Sequence, residues 1–115
     1  MSLKLYLFVS PGCIHCPKAE KIVRKIAPEY YDKGLVYKKI RTKTPEGKQL
    51  SLKYNVMGTP TMIFLDSSMN ELKRIVGVPG EGSFRSSVEK LLGLRKSFFE
   101  RLFGRKESNE QANNG

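Results

Sequence analysis

The sequence predicts an α/β protein of order βαβαββα, with a mixed four-stranded sheet flanked by helices, and three observations carry that prediction. A strand-like run at Leu3 to Val9, an amphipathic helical repeat and a second strand-like run at Leu35 to Ile40 form a βαβ unit. Two further apolar runs joined by a short turn add an antiparallel hairpin, and a last helical repeat closes the order. A crossover helix between two strands makes them parallel with a right-handed connection, so the hairpin supplies the antiparallel part.

Each element has its own signal. Leu3, Leu5, Leu7 and Val9 alternate with Tyr6 and Phe8, the two-sided pattern of a strand in the middle of a sheet. Ser10-Pro11-Gly12 breaks it, and from Cys13 to about Tyr31 the residues Ala19, Ile22, Val23, Ile26 and Ala27 recur at helical spacing. Pro28 marks the last turn of that helix or kinks it. Asp32-Lys33-Gly34 reads as a helix stop before the second strand. Thr44 followed by Pro45 opens a short helix to Tyr54, because threonine caps and proline suits the first helical position. Thr61 to Leu65 and Glu71 to Val76 are the hairpin strands about the turn Ser67-Ser68-Met69-Asn70. After a glycine-rich loop, Ser83 caps a helix with Phe84, Val88, Leu91 and Leu92 on one face.

The boundaries expected are one domain over residues 1–92, an amphipathic helical extension over 93–104 and a disordered polar tail over 105–115. The extension holds Phe98, Phe99, Leu102 and Phe103 among basic residues, and packing on the domain or contact with a membrane surface both account for it. A domain of this size needs no disulfide staples. The formal net charge is +10, but lysines and arginines are scattered with acids between them, which describes a solvated basic surface. No stacking aromatic motif accompanies it, so nucleic acid is not an expected partner. Lys4 interrupts the first apolar stretch, and neither a signal-peptide pattern nor a membrane span is present, so a cytoplasmic location is expected.

The chain has two cysteines, in the run Cys13-Ile14-His15-Cys16. One close pair in a domain of adequate size points to redox work or to metal binding. For redox work the thiolate is the attacking species, and a cysteine at a helix start gains free backbone N–H groups and the positive end of the macrodipole. Cys13 is accordingly the expected nucleophile, and Cys16, one turn on, the resolving thiol. His15, the single histidine, is placed to donate a hydrogen bond or charge to the Cys13 thiolate. Ile14 is expected to shape an apolar contact surface beside the sulfur, and Pro17 to punctuate the helix start.

The run Tyr54-Asn55-Val56-Met57-Gly58-Thr59-Pro60-Thr61 before a hydrophobic strand is similar to the cis-proline segment of thioredoxins, and the match extends over roughly residues 3 to 92. The resemblance implies a thioredoxin-like fold, a cis Thr59-Pro60 bond against the cysteine pair, and a Thr59 backbone free to pair with an extended substrate strand. It implies a thiol-disulfide oxidoreductase of the protein-disulfide reductase type, acting on disulfide-containing proteins and kept reduced by a thioredoxin-reductase-type partner. No cofactor and no resident metal belong to that reading.

The departures are equally specific. Thioredoxins carry Trp before the first cysteine and Gly-Pro between the two, where this chain has Gly12 and Ile14-His15. Their buried acid six residues before the nucleophile falls on Leu7, so proton handling must differ, with His15 or water as the acceptor. The histidine beside the second cysteine resembles the protein disulfide isomerase group. Gly80-Glu81-Gly82-Ser83 partly fits the glutathione grip of glutaredoxins, which makes glutathione use the alternative. A non-catalytic module sharing a metal or cluster between two copies is the other, because two cysteines and one histidine cannot close a tetrahedral site alone.

Overall fold

In the computed structural model, which describes residues 2–94, the sheet order is β2-β1-β3-β4. Strand β1 (Leu3–Val9) lies inside the sheet, parallel to β2 (Leu35–Arg41) and antiparallel to β3 (Thr61–Leu65), and β4 (Glu71–Val76) closes the hairpin on the far edge. The predicted fold class and element order are those observed.

Alternation along the strands sorts the core into two layers. Leu3, Leu5 and Leu7 of β1 with Met62 and Phe64 of β3 pack against Ala19, Ile22, Val23 and Ile26 of helix α1 (Cys16–Ile26) and Phe84 and Val88 of helix α3 (Glu81–Leu91). The Phe64 and Phe84 rings meet at a centroid distance of 6.1 Å. On the opposite face Phe8, Ile40, Ile63 and Leu65 pack with Tyr54 and Leu50, at the end of helix α2 (Pro45–Lys53). Both faces are thus covered, which leaves the loops at the C-terminal end of β1 as the exposed ground for chemistry.

Three boundaries differ from the sequence reading. Helix α1 begins at Cys16 instead of Cys13, with His15 at the cap position and Pro17 in the first turn, where its missing N–H costs no helix bond. It ends at Ile26, and a 3₁₀ helix (Ala27–Lys33) with Pro28 in its first turn continues the chain, so the proline changes the winding there. Helix α3 starts at Glu81 after the cap residue Gly80, so Ser83 already lies inside the first turn and does not cap it. Thr44 does cap α2, its hydroxyl accepting the Gly47 N–H at 3.0 Å and donating to the Arg41 carbonyl at 2.8 Å. The residues assigned above to the helical extension beyond Leu94 and to the polar tail lie outside the described residues.

The hairpin turn is held by Asp66, whose carboxylate accepts the main-chain N–H groups of Ser68 and Asn70, both at 2.9 Å. These bonds, that from Asn70 first, hold the Asp66 carboxyl below its ordinary range. Arg74 on β4 pairs with Glu71 at 2.8 Å and donates to the carbonyls of Tyr54 and Asn55, which ties β4 to the segment leading from α2 to Thr59-Pro60. That segment carries one wall of the site.

Candidate active site

Strand β1 stops at Val9, and Ser10-Pro11-Gly12 turns the chain outward, Gly12 taking a φ of 76° that favours a residue without Cβ. The Cys13 N–H donates to the Ser10 carbonyl at 3.4 Å, so the turn delivers Cys13 just ahead of α1. Cys13 and Cys16 are joined in a disulfide with a Cα–Cα separation of 5.4 Å. The bond to Cys16, the first helical residue, holds the Cys13 sulfur at the N-terminus of α1, whose free N–H groups favour negative charge once the bond is reduced. No acidic residue occupies the first turn to oppose that effect.

The two sulfurs sit in unlike surroundings. Cys16 is 5% exposed and packed in the core with Val9 and Ala19, whereas Cys13 is only partly buried at its edge. Ile14, 86% exposed, stands beside it on the outside. His15 is also exposed, its carbonyl accepting the Ala19 N–H at 3.2 Å while its ring makes no capping bond.

The Thr59-Pro60 bond is cis, in the loop that faces this turn. Thr59 Oγ1 and Ser10 Oγ lie 2.6 Å apart, a hydrogen bond that fastens the proline loop to the turn carrying Cys13. Thr61 Oγ1 donates to the Gly58 carbonyl at 2.6 Å, and the Pro60 carbonyl accepts the Gly77 N–H at 2.9 Å, so the loop is anchored on both sides. Between those anchors the main-chain N–H and C=O of Thr59 make no hydrogen bond among the described residues.

Sequence reasoning missed an ion pair between α1 and β2. Leu7, fully buried, is the register partner of Lys39 on β2, and Lys39 Nζ lies 2.8 Å from a carboxylate oxygen of Glu20. Both side chains are about three-quarters buried, at 29% and 24% exposure. Glu20 is four residues beyond Cys16 and therefore on the same side of α1. The signal was present as an acid at that spacing and a lysine in register with Leu7, but only the parallel pairing of β1 and β2 joins them.

A strand, an exposed turn and a helix N-terminus that hold a dithiol pair facing a cis-proline loop define a thiol-disulfide oxidoreductase. Comparison with known proteins agrees. The thioredoxin domain family matches residues 1–89. A probable thioredoxin of Archaeoglobus fulgidus is 39% identical over 87 residues, 76% of this chain and 87% of that protein. The thioredoxin of Methanocaldococcus jannaschii is 30% identical over 90 residues, covering 78% of this chain and 96% of that one. Among solved structures, the germline-specific thioredoxin Deadhead of Drosophila melanogaster superposes with a TM-score of 0.68 at 27% identity, covering 78% of this chain and 81% of that one. The chain belongs to the thioredoxin family, and its activity is thiol-disulfide exchange. Its substrates are disulfide-containing proteins and it requires a reductant. Among the described residues no helix is long and apolar enough to cross a membrane.

Proposed function

We propose that the chain reduces protein disulfides with Cys13 as nucleophile and Cys16 as resolving thiol. The Cys13 thiolate attacks one sulfur of the substrate disulfide, that bond breaks, and the departing substrate thiolate takes up a proton. The Cys16 thiol then loses its proton and attacks the Cys13 sulfur, which breaks the mixed disulfide and releases the second substrate thiol. Two electrons pass to the substrate, and Cys13–Cys16 remains as the disulfide. The observation that carries this assignment is the difference in burial between the sulfurs: the partly exposed Cys13 can be reached by a substrate, and the buried Cys16 can reach only Cys13.

Thr59 and Pro60 form the substrate-facing loop, with the unengaged Thr59 main chain pairing an extended substrate segment and Ile14 offering it an apolar contact. His15 stabilises the Cys13 thiolate from the helix cap. Two groups stand ready for the Cys16 proton, His15 and, one turn deeper, Glu20 in its pair with Lys39. A His15→Ala protein with unaltered pH-rate behaviour moves that role to Glu20, and a Glu20→Gln protein with an unaltered profile moves it away from the ion pair. A thioredoxin-reductase-type protein is the reductant in this reading and the cytoplasm its setting, in keeping with the thioredoxins among the relatives.

The test is a redox-buffer titration with alkylation of free thiols, followed by single substitutions. A reversible two-electron transition is expected in the intact chain. Cys16→Ser is expected to accumulate a mixed disulfide with a protein substrate, visible by mass spectrometry, and Cys13→Ser to form none. A trapped adduct on Cys16 in the Cys13→Ser protein would reverse the assignment.

A further inference from the structure

Two clefts reach the segment that carries the disulfide, one at Pro11 before Cys13 and one at Pro17 after Cys16. One, of about 580 Å³, runs from Ser10 and Pro11 past Thr59 to α2 and is walled by Lys43, Lys48, Leu52 and Met57. The other, of about 850 Å³, separates α1 from the start of α3 and is lined by Lys18, Lys21 and Lys25. Among the described residues four lysines are held in ion pairs, Lys25 with Glu81, Lys33 with Asp32, Lys38 with Glu46 and Lys39 with Glu20. Lys43 and Lys48 make no ion pair among the described residues. No carboxylate lines the first cleft. In the second, Glu81 is already held by Lys25 at 3.0 Å.

Beside these cations stand large apolar side chains that are exposed among the described residues. Leu52 is 84% exposed, Met57 86% and Ile14 86%. A cluster of this kind next to a reactive sulfur marks a surface that another molecule covers. Positive walls with no internal anion focus attraction on a negatively charged occupant and raise its encounter rate. The free Thr59 main chain lines the same cleft, so a substrate strand paired there runs along it, and its alternate side chains point into it. A nucleic-acid strand would engage the lysines but leave Leu52 and Met57 unmatched.

We propose that the α2-side cleft selects protein disulfides whose cysteine-bearing segment carries acidic side chains beside an apolar one, with Lys43 and Lys48 pairing the acids and Leu52 and Met57 covering the apolar residue. This rests on the exchange activity proposed above and names its substrate class.

The experiment uses the full chain, reduced with dithiothreitol and freed of it. Its rates are measured by stopped flow against two disulfide-bridged peptides that differ only in Glu or Lys flanks, with neutral hydroxyethyl disulfide as the reference. At low salt the Glu peptide is expected to react at least about tenfold faster than the Lys peptide, and the gap to close at 0.5 M salt, where charges more than about 4 Å apart are screened. The double substitution Lys43→Glu with Lys48→Glu is expected to reverse the preference while the hydroxyethyl disulfide rate stays as it was. Equal rates for the two peptides, a preference untouched by the double substitution, or single-stranded DNA competing as well as the Glu peptide would each overturn the proposal. Failure of the intact chain to reduce hydroxyethyl disulfide would instead refute the exchange chemistry itself, and the proposal with it.

Discussion

A hydrogen bond between Ser10 and Thr59 ties the turn that carries Cys13 to the proline loop, and cutting it tests whether that tie positions substrate. The perturbation is a double-mutant cycle with Ser10→Ala and Thr59→Val, each of which removes one hydroxyl with little change in volume. The bond joins two neutral, partly buried hydroxyls at 2.6 Å, a class that contributes about 1 kcal/mol net. Each single substitution should therefore lower stability by about 1 kcal/mol, or about 4–8 °C in Tm for a domain of this size. The double substitution should cost little more than either single one, giving a coupling near 1 kcal/mol. Kinetics carry the functional half of the argument. If the tie holds the Thr59 main chain in register with Cys13, its loss removes the same free energy from the transition state with a protein disulfide, about a fivefold drop in kcat/KM. A small disulfide that does not use Thr59 should react at the normal rate. Additive stability losses would show that the two hydroxyls are not coupled, and equal slowing of protein and small-molecule disulfides would show that the bond tunes the thiols and not the substrate.

Three further outcomes are expected. Burial first, and the nearby charge of Glu20 second, push Tyr37 up to about 12 from an ordinary 10.0, so the fold favours the neutral phenol. The stability this contributes is complete below pH 10 and is lost as pH rises towards 12, and melts of Tyr37→Phe against the parent across that window should show the larger loss in the parent. Because the Tyr37 hydroxyl is buried without a hydrogen-bond partner among the described residues, the same substitution should be neutral, or stabilising by up to about 1 kcal/mol, at pH 7. Gly47→Ala would set a Cβ 1.8 Å from the Arg41 carbonyl oxygen and force α2 off β2, at a cost of about 1–3 kcal/mol or more by denaturant titration, while Gly82→Ala in open space at the start of α3 should gain about 0.5–1 kcal/mol. Phe84→Ala removes a fully buried ring packed on Phe64 and should cost about 3–5 kcal/mol by denaturant titration.

Helix ends show where sequence signals hold. Thr44-Pro45 located the start of α2 because the cap is made by atoms within three residues, the Thr44 hydroxyl and the Gly47 N–H. Ser83 offered the same kind of signal and did not cap α3, because the chain enters that helix at Gly80, three residues earlier, which places the serine inside the first turn. Cys13 was expected inside the first turn of α1 and lies ahead of it, since the segment between strand and helix runs from Ser10 to His15 and does not stop at Gly12. None of these shifts alters the pairing of the cysteines, whose spacing of three suffices for a disulfide.

The sequence by itself determined the element order, the buried faces and the dithiol. Strand alternation, helical spacing, caps and the Cys13-Ile14-His15-Cys16 run are written within a few residues of one another. Only the tertiary structure decided what stands opposite the dithiol. Thr59 follows Ser10 by 49 residues yet shares a hydrogen bond with it, and Glu20 meets Lys39 through the crossover of the βαβ unit. The unpaired lysines of the α2 cleft are distinguished from the paired ones by the same packing. Such contacts depend on strand register and on which helix covers which face, quantities set by the burial of two apolar layers at once, and no local pattern encodes them.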